Sequence, residues 1–272
     1  MKKLQKWLIL WSALLLTAFF QILYCREVVP RQVQLVQREI VLPSLPAALD
    51  GVRLALISDL HGDRQDIAAG LYRQGAELIR GARPDAVFFL GDYLNRFPAG
   101  ENLTAEELVQ IMEDFVPEGV MALAVTGNHD LWSGNQERMG ALAGRLSGSR
   151  IRLLQNETVS WHLRGESLEI GGVEDTPECW ANVGIFREND RKTCRILLCH
   201  RPEYFLSIAH CADLMLSGHT HGGQIRFPIL QERYRRSRWE ENYFLAGLSR
   251  LEDGKQLYVT SGIGTSTLRL RM

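Results

Sequence analysis

The chain has 272 residues, 46% of them hydrophobic and 23% charged, enough for one large α/β domain with a buried core or two small ones. Lys and Arg number 31 against 32 Asp and Glu, a net charge of -1 that argues against a bulk nucleic-acid binder. The five cysteines (Cys25, Cys179, Cys194, Cys199 and Cys211) form no CxxC pair and are odd in number, which disfavours a structural zinc site or a disulfide framework. They read as small buried thiols.

In chain order, Lys2, Lys3 and Lys6 come first, and an uncharged run from Trp7 to Tyr24 follows. That run is close to the ~20 residues a spanning helix needs. Trp7, Trp11 and Tyr24 sit towards its ends, where amphipathic aromatics favour the interface. A cleaved signal peptide is the rival reading, but Leu23-Tyr24-Cys25-Arg26 offers no small residue before a cut. Residues 1–25 are therefore expected to be an uncleaved anchor in the cytoplasmic membrane. The basic flank puts the N-terminus inside and the rest of the chain outside.

Residues 26–50 read as a linker with an edge strand, because Gln32 to Gln37 alternates polar and apolar, and Pro43 and Pro46 mark a turn. From residue 51 to 272 the pattern is that of one catalytic domain. Short runs apolar on both faces predict buried strands over 52–58, 86–90, 120–126, 195–199 and 213–217. Helices are expected over 66–82, 104–115 and 131–146, the second opened by a capping box of Thr104 and Glu107. Residues 151–172 read as strand-rich.

Each predicted buried strand ends in a polar cluster. The clusters are Asp59-Leu60-His61, Gly91-Asp92, Gly127-Asn128-His129-Asp130, His200, and Gly218-His219-Thr220-His221-Gly222-Gly223. In extended chain, residues two apart point the same way, so Asp59 and His61 can both face one metal, and His219 and His221 have the same two-residue spacing. A lone Asp after a strand is usually a turn residue, and a lone His usually a satisfied core residue. Five strand ends carrying such groups converge, since functional groups collect at the carboxyl ends of strands in α/β sheets.

The ordered series D-L-H, G-D, G-N-H-D, H and G-H-T-H resembles that of the calcineurin-like metallophosphoesterases. The resemblance runs from about Val52 to Ser266 and is greatest to the membrane-anchored bacterial branch, whose last motif reads G-H-T-H-G-G-Q-I, here Gly218 to Ile225. It implies a two-sheet β-sandwich flanked by helices, a four-layer αββα fold, here preceded by one transmembrane helix. By that resemblance Asp59, His61, Asp92 and His221 bind one metal, and Asp92, Asn128, His200 and His219 a second, with Asp92 bridging. His129 resembles the catalytic histidine beside the leaving group, and Asp130 is expected to orient it. Related chains commonly continue past Gly262–Ser266 into another strand, so either a shortened final strand or a truncated chain is expected here.

Imidazole and carboxylate without thiolate suit two divalent transition metals such as Mn, Fe or Zn. Two such ions about 3.5–4 Å apart clamp both oxygens of an in-line displacement and supply hydroxide near neutral pH. The expected activity is hydrolysis of a phosphodiester or pyrophosphate, with a small-molecule or lipid phosphate as substrate. One part of the wider family resembles UDP-2,3-diacylglucosamine pyrophosphatases. A non-catalytic membrane-anchored binding protein and a nuclease are the alternatives. The intact ligand set argues against the first and the balanced charge against the second. Arg233, Arg235, Arg236 and Arg238, with Tyr234 and Trp239, read either as a solvated loop or as a surface for anionic headgroups.

Overall fold

The computed structural model describes residues 2–68, 70–95, 102–176, 183–186, 193–208, 211–223, 244–265 and 271. The arginine cluster at 233–238, Cys179, and Gln224 and Ile225 of the last motif lie outside the described residues.

The chain begins with helix α1 (Lys2–Glu27), which the hydropathy pattern anticipates. Leu4–Arg31 is long and apolar enough to cross a membrane, and almost none of its apolar stretch is buried against the rest of the protein. A helix that is apolar all round and packs against so little protein has the character of a membrane segment. Two 3₁₀ turns follow, Val29–Arg31 and Ala47–Leu49. Between them the expected edge strand is absent: residues 32–42 form no ladder among the described residues. Val33 packs against one core cluster and Ile40 and Leu42 against another, while Leu35 and Val36 are exposed.

Sheet one is all parallel, in the order β1 (Leu54–Ile57), β2 (Ala86–Phe89), β3 (Met121–Ala124), β4 (Ile151–Leu153). Sheet two is mixed, in the order β5 (Glu157–Leu163), β6 (Glu166–Gly172), β7 (Arg195–Leu198), β8 (Leu214–Ser217), β10 (Gln256–Val259), β9 (Gly247–Arg250). The period of two along each strand builds the sandwich. Phe88, Leu90, Leu123 and Val125 face Ile196, Leu198, Leu214 and Leu216 of sheet two. The intervening Val87, Phe89, Ala122 and Ala124 face the helices instead. Phe88 and Phe89 are both 0% exposed on opposite faces. Each such burial contributes about 1.5–3 kcal/mol.

The helices over sheet one are α2 (Arg64–Ala68), α3 (Leu71–Ala82), α4 (Ala105–Asp114) and α5 (Gln136–Leu146). The single helix expected over 66–82 is interrupted at Gly70, whose φ of 70° cannot continue a right-handed helix. Thr104 and Glu107 form the expected reciprocal capping box on α4. The third helix begins at Gln136, after a 3₁₀ turn at Ser133–Asn135. On the outer face of sheet two the helical layer is thin among the described residues. It comprises turns at Val183–Ile185 and Pro202–Tyr204 and the one-turn α6 (Phe205–Ile208). Cys25, Cys194 and Cys199 are free and buried, as expected, whereas Cys211 is free but only half-buried.

Candidate metal centre

The carboxyl ends of β1, β2, β3, β7 and β8 meet at one edge of the sandwich, and the predicted residues meet with them. Three groups of side chains bring a ligand atom each to within 4.8 Å of one another: Asp59, His61 and His221; Asp92, His200 and His219; and His61, Asp92 and His129. Asp59, His61, Asp92, His200 and His221 are buried.

The backbone route differs from the expected extended one. Asp59, His61, Asp92, His219 and His221 all have positive φ, from 44° to 72°, the left-handed region that side-chain-bearing residues seldom occupy and that Asp and His enter more readily than most. Asp59 and His61 thus reach one site through two consecutive reversals, and His219 and His221 diverge into different groups. Such strain persists only where the surroundings over-determine it, and it collects at functional sites. Gly127 and Gly218 permit the close approach. A Cβ on Gly127 would lie 2.2 Å from Asp92 Oδ1, and one on Gly218 would lie 1.8 Å from Ser58 Oγ.

Three imidazoles are oriented by backbone carbonyls. Nδ1 of His61 faces the Leu94 carbonyl at 3.3 Å, Nδ1 of His200 the Leu90 carbonyl at 2.6 Å, and Nδ1 of His221 the Gly264 carbonyl at 3.3 Å. A carbonyl can only accept, so each Nδ1 carries the proton and each Nε2 is turned inward as the ligating atom. His61 Nε2 lies 3.7 Å from Asp92 Oδ2, and His221 Nε2 lies 3.4 Å from Asp59 Oδ1. His200 Nε2 lies 3.3 Å from both Asp92 Oδ2 and His219 Nδ1. His219 is turned the other way, with Nδ1 inward and Nε2 3.6 Å from Glu203 Oε1. Asp59 Oδ2 accepts the His219 N–H at 3.1 Å, and Asp92 Oδ1 accepts the His129 N–H at 2.8 Å.

Two of the imidazoles are held in the neutral form that ligates a cation. Burial holds His61 down to about 4, and burial with the neighbouring His200 holds His219 down to about 3. Burial alone would raise Asp92, but the His200 beside it holds the carboxyl below the usual range. Burial also opposes the His200 cation, yet Asp92 outweighs it and pushes His200 up to about 10. In the metal-free site His200 thus carries a proton, which an ion bound at its Nε2 would displace. Two buried acceptors, Asp59 Oδ1 and Asn128 Oδ1, have no hydrogen-bond partner among the described residues. Buried polar groups are normally satisfied, and an orphaned Asp59 Oδ1 3.4 Å from His221 Nε2, with a second orphaned oxygen on Asn128, fits a site for divalent ions.

His129 is half-buried, its ring 4.7 Å from that of His61 at 70°, and its Nδ1 has no hydrogen-bond partner among the described residues. Asp130 does not hydrogen-bond to it. Instead Asp130 Oδ1 accepts the N–H groups of Tyr93 and Leu94 at 2.9 Å each, and Oδ2 those of Asp92 at 2.8 Å and Gly127 at 2.9 Å. The expected orienting role gives way to a structural one, because the turn after β3 aims the carboxylate back at the β2 loop. Burial and the nearby Asp92 push that carboxyl up to about 7.

Further residues support the site that motif reading passes over. Asn95 donates to the His61 carbonyl at 2.8 Å, and Asn135 donates to the His129 carbonyl at 2.8 Å. Asn95 lies three residues beyond Asp92, a polar residue in a motif loop, and was open to notice. Asn135 and Glu203 carry no local signal.

Known proteins resemble this chain. The family model described as calcineurin-like phosphoesterase matches residues 52–223, a stretch that holds all nine predicted site residues. The chain is 26% identical over 243 residues to an uncharacterized metallophosphoesterase of Aquifex aeolicus, covering 81% of this chain and 80% of that protein. It is 27% identical over 216 residues to the phosphodiesterase YaeI of Escherichia coli, covering 78% and 75%. A transmembrane protein with metallophosphoesterase domain from Danio rerio is 27% identical over 259 residues. That match covers 88% of this chain but 54% of the fish protein, so the chain spans about half its length. Among solved structures, the NAD nucleotidase of Haemophilus influenzae superposes with a TM-score of 0.52 at 15% identity, over 79% of this chain and 45% of that one. That likeness shows the fold alone.

Proposed function

The chain belongs to the calcineurin-like phosphoesterase family, hydrolases of phosphoric esters, and from that premise we propose that it cleaves a phosphodiester or pyrophosphate bond in a lipid-linked or envelope substrate. The observation that carries the reading is the position of Asp92, which belongs both to the group with His200 and His219 and to that with His61 and His129. Asp59, His61, Asp92 and His221 would hold one divalent ion, and Asp92, Asn128, His200 and His219 the other. Two such ions supply Lewis acidity towards the phosphoryl oxygens and an activated water as nucleophile. The chain's own residues do the rest. The Leu94, Leu90 and Gly264 carbonyls would fix the ligating tautomers, and His129, whose pKa burial lowers, would be the acid that gives a proton to the departing oxygen.

The lipid-linked character is supported by the apolar helix α1, continuous with the domain, and by the naming of the fish relative as a transmembrane protein. The proposed orientation is a single pass through the cytoplasmic membrane with the catalytic domain outside, from Lys2, Lys3 and Lys6 before the apolar run. The test uses the full-length protein in detergent, stripped and reloaded with Mn²⁺. It is assayed on a nitrophenyl diester, a nitrophenyl monoester and a lipid diphosphate. Turnover of the diester and faster turnover of the lipid diphosphate are expected, both abolished by chelation. Activity confined to the monoester, or none with two ions bound, would overturn the reading.

A further inference from the structure

The far end of the described chain reaches the metal centre from the side where α1 joins the domain. Arg271 spreads its guanidinium over three consecutive carbonyls. Nη2 donates to Ser261 at 2.6 Å and to Gly262 at 3.1 Å, and Nη1 donates to Ile263 at 3.4 Å. Its backbone N–H donates to the Cys25 carbonyl at 3.0 Å, in the last turn of α1. Cys25 is 5% exposed, on a helix whose other described side chains all face outward, so it marks where the helix meets the domain.

Those carbonyls belong to the segment that frames the first ligand group. The Ile263 N–H donates to the Ser58 carbonyl at 3.0 Å, and the Gly264 N–H to the Asp59 carbonyl at 2.8 Å. The Gly264 carbonyl in turn faces His221 Nδ1 at 3.3 Å. Clearance is small: a Cβ on Gly262 would lie 2.7 Å from the Cβ of Asp59. The second group is held differently, His200 by the Leu90 carbonyl and His219 by Glu203. A planar fork of five donors is suited to bridging several carbonyls at once, which an ammonium on a flexible stem does less well.

We infer that Arg271 is a positioning residue that ties the end of the spanning helix to the Asp59–His61–His221 group and sets how tightly that group holds its ion. The inference rests on the two-metal reading above. Outer partners of metal ligands commonly change metal affinity about 10–100-fold when removed. Here the partner acts through a loop, and the same residue reports the state of the membrane junction to one of two ions.

Two measurements on the full-length protein in detergent test it. Hydrogen exchange of the metal-free protein reads the clamp. In Arg271→Ala the peptide covering residues 261–264 should exchange about tenfold faster, with β5 and β6 unchanged. Metal retention after loading with Mn²⁺ reads the link. During dialysis against a chelator the variant should lose one ion about 10–100-fold faster, while the other leaves at the wild-type rate. Arg271→Lys should restore part of the protection, and it carries the same comparison if the alanine variant does not fold. In a His221→Ala background, Arg271→Ala should not change loss of the remaining ion. Unchanged exchange at 261–264 overturns the inference whether or not metal binds, and so does equal acceleration of both ions. A wild-type chain that binds no metal is a different result, and it sinks the two-metal reading itself.

Discussion

Nε2 of His61 lies 3.1 Å from Nε2 of His221, and each ring gives its Nδ1 to a backbone carbonyl. Two lone pairs aimed at each other in a buried space repel unless a cation lies between them. Metal binding is therefore expected to stabilise the fold. Saturation at a hundred times the dissociation constant contributes about 2.7 kcal/mol by mass action. Thermal melts of the stripped and Mn²⁺-loaded protein check this, and identical midpoints would count against ions at this place.

Asp92→Asn is expected to be the most damaging ligand change. Asp92 Oδ2 lies 3.3 Å from His200 and 3.7 Å from His61, so its charge serves both groups. The variant should fall from two ions per chain towards none, whereas His221→Ala should retain the ion at Asp92, His200 and His219. Elemental analysis decides it: an Asp92→Asn protein that keeps both ions and most activity contradicts the shared ligand.

His129→Ala should lower turnover while both ions stay bound. General acid help is worth about 10²–10⁴ in rate. The loss should be large for an alkyl diester, whose leaving group needs a proton, and small for a nitrophenyl diester. Equal losses on the two substrates with unchanged metal content would remove the acid role.

Asp130→Ala should destabilise the metal-free protein, which separates a structural role from a catalytic one. It leaves four buried N–H groups without their acceptor, those of Asp92, Tyr93, Leu94 and Gly127. Each orphaned group costs about 1–3 kcal/mol. A denaturant midpoint equal to wild type in the stripped protein would show that the carboxylate is not a structural pin.

The anchor also makes a prediction. Protease added to intact cells should digest the domain of the full-length protein while the amino-terminal segment stays attached. A protected domain reverses the proposed orientation, and a mature chain starting near Cys25 removes the anchor.

The parts of this fold that were legible in the sequence are those where burial writes a local pattern. Ala86 to Leu90 is apolar on both faces because one face meets the helices and the other meets sheet two, and the strand can be read from that run alone. Gln32 to Gln37 carries an equally good alternation yet forms no strand, since pairing depends on a neighbour that the local pattern does not contain. The ligands were legible through their motifs, but their geometry was not. Left-handed turns at Asp59 and His61 replace the extended chain that two-residue spacing suggests. Asp130 beside His129 invites a catalytic pairing, and only the turn after β3 shows the carboxylate facing the opposite way. The link from Arg271 to Ser261, Gly262 and Ile263 is set by tertiary contact, so no spacing rule announces it.

The left-handed backbone at Asp59, His61, Asp92, His219 and His221 bears on how this protein can be improved or degraded by selection. Glycine or asparagine relaxes such a position, and each relief is worth on the order of 1 kcal/mol. A library sorted only for thermal resistance of the stripped chain would therefore enrich substitutions at the very residues that make up the centre. Variants that melt higher and bind nothing would be its natural product, and sorting in the presence of saturating ion would reverse the preference.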